Sequence, residues 1–116
     1  MPDAPEVETA DLRRLRRRID ALDRRIVRLL NDRAGLAREV GTAKSLAGNR
    51  AVRDPERERE VLLRVSIAND GPMPQADLLA IYRRLFAVAR ALERRDRRRA
   101  AGGSRSRPAP GRTDGD

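Results

Sequence analysis

The sequence predicts an all-α fold of three helices, one long, one short and one of medium length. Three observations carry this prediction. Apolar residues recur at alternating three- and four-residue steps over five heptads from Leu12, which is typical of a helix in coiled-coil-like packing. Two further segments with helical spacing follow, each bounded by turn residues, and no stretch alternates as a strand would. The chain of 116 residues has one Tyr, one Phe and no Trp, which makes a thin core for a monomer.

The first helix is predicted over about residues 10–46. Thr9 or Asp11 can cap its start, and Gly48 with Asn49 can end it. Such a helix would be roughly 55 Å long, which exceeds the diameter of a compact domain of this size. We therefore expect a second copy of the chain to pack along it, giving an intertwined helical homodimer. We call the two heptad positions at which these apolar residues recur the seam positions. They are occupied by Leu12, Leu15, Ile19, Leu22, Ile26, Leu29, Leu36 and Val40.

Glycines interrupt this helix at two places. Gly35 and Gly41 are both expected to weaken it locally, since glycine is a poor helix former.

The second and third helices are predicted from their start signals and apolar faces. Asp54-Pro55-Glu56 reads as an N-cap, a first-turn proline and a first-turn acid. The third helix begins near Pro74 or Gln75 and is expected to fade into the arginines of residues 94–99. The apolar faces comprise Val61, Leu62 and Val65, then Leu78, Tyr82, Leu85, Ala89 and Leu92.

The domain organisation follows from composition. We expect a disordered N-terminal segment at residues 1–9, a helical domain at 10–99 and a disordered basic tail at 100–116. The net charge of +9 suits a small anion, a nucleic acid or a membrane surface as partner. Aromatic stacking platforms are scarce and the basic tail is separable, so a nucleic-acid partner is not expected. No apolar run could span a bilayer and the N-terminus is acidic, so no membrane role and a cytoplasmic location are expected.

The absence of two residue types limits the chemistry. Without Cys or His, the chain lacks a thiolate nucleophile, the commonest general base and the commonest transition-metal ligand. All but one of the 27 basic residues are arginines, and the exception is Lys44. A lone lysine indicates a site that needs a compact ammonium, although chance explains a single residue equally well.

Polar residues break the apolar pattern at three places. Arg33 occupies a seam position, where it would pair with an acid of its own or a partner helix, extend to solvent, or meet an anionic ligand. Lys44 continues the same face of the helix. Glu93 abuts the apolar face of the third helix, where it would pair with Arg90 or Arg97 or belong to a site.

Taken together, these residues resemble the all-helical chorismate mutase family. The matching stretches are residues 15–23, 29–33, 40–44, 52–59 and 81–86, and their order and spacing make the likeness specific. The likeness covers about residues 10–97. The segment 69–72 is similar to the version of this domain that is often fused to the first enzyme of the shikimate pathway, so a shikimate-pathway synthase is a possible partner.

The resemblance implies roles for three basic residues. Arg16, which spacing alone would leave as a solvated surface residue, would reach into the partner's site. Arg33 would grip a substrate carboxylate within its own protomer, and Lys44 would contact the ether oxygen and a carboxylate.

The resemblance also implies a cluster on the second and third helices. The substrate would be bound by Asp54, Arg57 and Glu58, and the carboxylate of Glu58 would bind the substrate hydroxyl group. Ala89 stands where the family frequently has Ser, so one polar contact is expected to be missing. Glu93 stands where the family frequently has Gln, and other members also carry Glu there.

The implied activity is the rearrangement of chorismate to prephenate in aromatic amino acid biosynthesis, with Lys44, Glu93 and Arg33 as catalytic residues. The reaction is intramolecular and pericyclic, so the isomerase needs no cofactor and no metal. Glu93 would help only as a neutral acid, so activity is expected to rise as the pH falls.

Three alternatives stay open on the sequence. An isochorismate pyruvate lyase or an amino-chorismate mutase could use the same scaffold. A non-catalytic regulatory module could bind chorismate or prephenate and dock on a shikimate-pathway synthase. A nucleic-acid-binding helical dimer would use the arginine-rich tail.

Overall fold

Three helices account for most of the residues that the computed structural model describes, which are residues 7–106. Helix α1 spans Ala10–Leu46, α2 spans Pro55–Ala68 and α3 spans Gln75–Ser106. No strand occurs within the described range. The predicted all-α class and the order of the helices are confirmed.

Side chains at the caps fix where α1 and α2 begin. The hydroxyl of Thr9 accepts a hydrogen bond from the amide of Leu12 at 3.1 Å. The carboxylate of Asp54 accepts one from the amide of Arg57 at 3.1 Å, and Pro55 occupies the first helical position. Each cap satisfies an amide that has no partner inside its helix, so both predicted starts are confirmed.

The end of α1 is fixed by a glycine in the left-handed conformation. Gly48 has a φ of +81°, which a residue with a side chain rarely adopts. The amide of Asn49 donates to the carbonyl of Lys44 at 2.8 Å, and the amide of Gly48 donates to that of Ser45 at 3.0 Å. This pair of bonds is a Schellman motif, and it places Lys44 in the last turn of the helix.

Helix α3 is longer than the sequence predicted. The helical domain was predicted to end at residue 99 and the basic tail to begin at residue 100, whereas the helix continues to Ser106. Ala100 and Ala101 are strong helix formers, and the helix continues past Gly102 and Gly103, although each glycine costs about 1 kcal/mol. Residues 1–6 and 107–116 lie outside the described range, and so does the disorder predicted for them.

The chain divides into two compact units, Met1–Gly35 and Leu36–Asp116. In its described part, the first unit is the N-terminal portion of α1. Apart from Leu12, which is half-buried, its apolar seam residues are between 46% and 62% exposed, which leaves an apolar stripe without cover in this unit. We call this surface the seam stripe, and its members are Leu15, Ile19, Leu22, Ile26 and Leu29.

The second unit contains the small core. Phe86 is 6% exposed, and it is the one large apolar side chain among the described residues that is buried. Its ring meets that of Tyr82 edge to face at 6.4 Å between centroids. Helix α2 packs against α3 here, with Val61 and Leu62 half-buried. The thin core expected from the composition is confirmed.

An ion pair connects α1 and α3 in the second unit. Arg38 donates two hydrogen bonds to the carboxylate of Asp96, at 2.9 and 2.8 Å. This bidentate contact holds the pKa of the Asp96 carboxyl below its ordinary value, because the hydrogen bond and the adjacent charge favour the ionised form.

Replacing Asp96 by Asn is expected to lower the melting temperature at neutral pH. Because the folded pKa of Asp96 is depressed, the pair stabilises the protein above about pH 4 and loses this effect as the pH falls further. The difference between Asp96→Asn and the wild type should therefore shrink towards pH 2. Thermal unfolding followed by circular dichroism between pH 2 and 7 checks this, with Asp70→Asn in the exposed α2–α3 loop as control. A difference independent of pH would contradict it.

Candidate active site

The centre of the site is an ion pair between the lone lysine and a buried acid. Lys44 lies at the end of α1 and Glu93 on α3, and Nζ lies 3.4 Å from Oε2. Their side chains are only 19% and 11% exposed. The structure thus brings together two residues that the sequence predicted for one site.

The same carboxylate oxygen has a second cationic neighbour. Arg97 lies one helical turn after Glu93, and its Nη2 donates to Oε2 at 2.9 Å. Of the two pairings considered for Glu93, the one with Arg97 is therefore observed. Arg97 also donates to the backbone carbonyls of Arg50 at 2.5 Å and Asn49 at 3.2 Å, both in the α1–α2 loop.

Helix α1 approaches Glu93 closely because residue 41 has no side chain. Gly41 is buried, and a methyl group built on it would lie 3.1 Å from Cγ and 3.3 Å from Cδ of Glu93. Glu93 would have to shift by a few tenths of an ångström to make room, and its carboxylate is held by Arg97 and Lys44. Gly41 is therefore a packing requirement of the site.

A matched pair of glycine substitutions tests this packing. Gly35→Ala has open space around its new methyl group and is expected to raise the free energy of unfolding by about 0.5–1 kcal/mol. Gly41→Ala gains the same helix propensity but crowds Glu93, so we expect a net loss of about 1 kcal/mol. Urea denaturation of both variants provides the measurement. If both are stabilised equally, Glu93 has room to move and the requirement at Gly41 is wrong.

Lys44 also lines a cleft on the side of α2. The cleft has a volume of about 510 Å³. Asp54 lines it while capping α2, so the predicted site residues Lys44 and Asp54 share one cavity. The other lining residues are Asn49, Ala51, Arg53, Pro55, Glu56 and Arg59.

A second cleft, of about 370 Å³, includes Glu93 in its wall. Lys44 is not among its lining residues, and Glu93 is not among those of the first cleft. The Lys44–Glu93 pair therefore stands between the two cavities. Arg38, Gly41, Arg50 and Arg97 also line the second cleft.

The remaining residues predicted on α2 pair with other side chains. Glu58 accepts a hydrogen bond from Arg90 of α3, and both side chains are about four-fifths buried. Arg57 pairs with Glu60 along the surface of α2 at 2.5 Å, which lowers the pKa of the Glu60 carboxyl. Arg90 had been considered only as a partner for Glu93, so its role beside Glu58 was missed.

The other three predicted site residues are Ala89, Arg16 and Arg33. Ala89 is half-buried on α3, one turn before Glu93, and offers no polar side chain. Arg16 and Arg33 lie in the N-terminal unit. There Arg16 pairs with Glu8 at 2.8 Å, and Arg33 is partly buried.

Within the described part of the chain, no helix is both long enough and apolar enough to cross a membrane.

Comparison with known proteins supports one family. The family model for chorismate mutase type II matches residues 15–94. The chain is 40% identical over 89 residues to a bifunctional chorismate mutase/prephenate dehydratase of Aquifex aeolicus, covering 73% of this chain and 24% of that protein. It is 40% identical over 79 residues to the bifunctional protein of Neisseria gonorrhoeae, covering 68% and 21% respectively. The chain thus spans about a quarter of the length of these curated relatives.

A solved structure agrees with these relatives. The chorismate mutase (Form II) from Thermus thermophilus superposes with a TM-score of 0.70 at 32% identity, over 73% of this chain and 96% of that one. The family match, the relatives and the shared helical fold show that this chain belongs to the chorismate mutase type II family.

Proposed function

We propose that this chain is a chorismate mutase, an isomerase that rearranges chorismate to prephenate in aromatic amino acid biosynthesis. The observation that carries the proposal is the Lys44 ammonium, which lies beside the buried carboxylate of Glu93 and lines a cleft of about 510 Å³. Family membership supports the same activity, since the matched region includes both residues.

The proposed chemistry needs positioning and electrostatics from the protein. The substrate is a flexible dianion, and the two carbons that will bond must be brought together in a compact conformer. As the ether C–O bond breaks, negative charge develops on the oxygen. A partly desolvated ammonium at Lys44 would stabilise that charge more in the transition state than in the ground state. An ammonium has three donors, so contact with Glu93 leaves donors for the substrate.

The other site residues would bind the substrate around this centre. Arg33 would hold a carboxylate, and arginine suits this role because its planar fork can bind bidentately. Asp54 and Glu58 would bind on the α2 side, where Glu58 would keep Arg90 as its partner. Arg57 would have to leave Glu60, a change that costs little because both side chains are about half exposed.

A homodimer with shared active sites is part of the proposal. The exposed seam stripe supports it, because an isolated amphipathic helix with this much uncovered apolar surface is not stable in water. Arg16 lies along this helix and would enter the partner's site. We also propose a cytoplasmic location, which cell fractionation would test.

A direct assay tests the function. The purified chain is incubated with chorismate, loss of substrate is followed by absorbance, and the product is identified by mass spectrometry. Prephenate is the expected product, and failure to consume chorismate would reject the proposal. Parallel incubations with isochorismate and amino-chorismate distinguish the alternative enzymes. Copurification with a shikimate-pathway synthase, together with negligible turnover of the chain alone, would favour the non-catalytic regulatory alternative.

A further inference from the structure

Arg97 connects two parts of the site that are far apart in the sequence, helix α3 and the α1–α2 loop. Its Nη2 donates to Glu93 Oε2 at 2.9 Å and to the carbonyl of Asn49 at 3.2 Å. Its Nη1 donates to the carbonyl of Arg50 at 2.5 Å. One guanidinium thus ties α3 to the α1–α2 loop and to the acid of the site.

The burial of Arg97 indicates that these contacts are specific. Its side chain is 25% exposed, although it lies in a run of arginines whose neighbours at 98 and 99 are exposed. Its Nε is buried and has no hydrogen-bond partner in the described residues. The hydrogen bonds of the two terminal nitrogens hold the guanidinium in place.

The loop that Arg97 holds is also the one that fixes Lys44. The amide of Asn49 closes the Schellman motif on the carbonyl of Lys44 at 2.8 Å, while the carbonyl of Asn49 accepts from Arg97. The same loop continues to Asp54 and the wall of the Lys44 cleft. Arg97 thus contacts both the backbone that ends the Lys44 helix and the carboxylate that faces its ammonium.

The distances around Glu93 show which cation holds it. Its Oε2 lies 2.9 Å from Arg97 but 3.4 Å from Lys44. Charge-assisted hydrogen bonds between nitrogen and carboxylate oxygen are usually about 2.7–2.9 Å long. Arg97 therefore forms a hydrogen bond of ordinary length with the Glu93 carboxylate, whereas the Lys44 ammonium lies farther from it.

We propose that Arg97 is a positioning residue that keeps Glu93 from closing on Lys44. This inference rests on the proposed mutase function. Without Arg97, the carboxylate of Glu93 has Lys44 as its nearest cation and closes on it. The ammonium then donates a hydrogen bond to Glu93, and the carboxylate neutralises much of its charge. Both effects weaken its interaction with the ether oxygen of the substrate.

A double-mutant cycle tests the proposal through kcat and KM for chorismate. Arg97→Ala is expected to lower kcat about 10- to 100-fold, with a smaller change in KM. In the Glu93→Gln background, the same substitution should change kcat less than about threefold, because no charged carboxylate remains to close on Lys44. Arg98→Ala, at the exposed neighbouring position, is the matched control and should behave as the wild type. An equal loss from Arg97→Ala in both backgrounds would overturn the proposal.

A second measurement does not depend on activity. Hydrogen exchange of the loop amides at residues 49–53 should accelerate about tenfold or more in Arg97→Ala and remain unchanged in Arg98→Ala. If Arg97→Ala changes neither the hydrogen exchange of the loop nor the kinetics with chorismate, the positioning role of Arg97 is wrong, while the proposed mutase function is unaffected. If the wild type does not consume chorismate, the proposed function fails, and accelerated exchange would still show that Arg97 holds the loop.

Discussion

Replacing Lys44 by Ala is expected to lower kcat for chorismate by about 10²- to 10³-fold, with a much smaller effect on KM. Removing a single preorganised donor that faces developing negative charge typically has an effect of this size. Lys44 is suited to the role because it is only 19% exposed and lines the cleft beside Asp54. A donor that acts mainly in the transition state changes kcat more than KM. Steady-state kinetics from chorismate disappearance provide the measurement.

Two companion variants sharpen this test. Lys44→Arg keeps the charge but replaces a compact ammonium by a wide planar fork, so less than about a tenth of the wild-type kcat should return. Arg64→Ala removes a cation that is 66% exposed on α2 and should leave kcat within about twofold of the wild type. If Lys44→Ala stays within threefold of the wild type, the ammonium does not face the reacting oxygen.

The helix boundaries that were predictable are those fixed by local chemistry. Thr9, Asp54 and Gly48 act within a few residues of their own positions, so the sequence alone contains the needed information. The end of α3 lies beyond the predicted one because glycine, serine and charge, which are typical of disordered segments, also occur in the last turns of this helix. The alanines at 100–101 extend the helix beyond that point.

Some residues of the candidate site were predictable because they stand out in the sequence, whereas the contacts between them depend on how the helices pack. Lys44 and Glu93 stood out because one is the lone lysine and the other interrupts an apolar face. The pairing of Glu58 with Arg90 depends on the register between α2 and α3, which the periodicity of neither helix contains. Register also separates the two glycines of α1. They are alike in sequence, yet only Gly41 lies against another side chain.

Two roles are open to Glu93, that of a neutral hydrogen-bond donor to the substrate and that of a carboxylate paired with cations. The predicted rise of activity at lower pH belongs to the first role. The function of Glu93 as a neutral donor was inferred from the repulsion between a carboxylate and the developing charge. In the structure, Glu93 accepts from Arg97 and faces Lys44, an arrangement in which the carboxylate balances two cations. Activity of Glu93→Gln across pH 5 to 8 separates the two roles, since a permanently neutral donor should keep its activity at neutral pH.

Placing an aspartate in the middle of the seam stripe is expected to abolish both assembly and activity. In Ile26→Asp, a charge would enter the surface that the proposed second copy covers, at a position 49% exposed in the single chain. Burial of one large aliphatic side chain contributes about 1.5–3 kcal/mol, and in a symmetric dimer each substitution counts twice. The desolvation of an unpaired carboxylate adds to the loss. Sedimentation velocity should therefore show the monomer, and circular dichroism should show reduced helicity.

The matched control is Arg24→Asp, which adds the same acid to the same helix on the side opposite the seam. It should keep the mass, the helicity and the kcat of the wild type. Dilution of the wild type offers an independent check, because a protein whose fold depends on its partner melts at a temperature that rises with concentration. A wild type that melts at one temperature at all concentrations, together with an active Ile26→Asp, would show that the seam stripe is not an interface. Arg16 could then serve only its own protomer, and the shared active site would have to be abandoned.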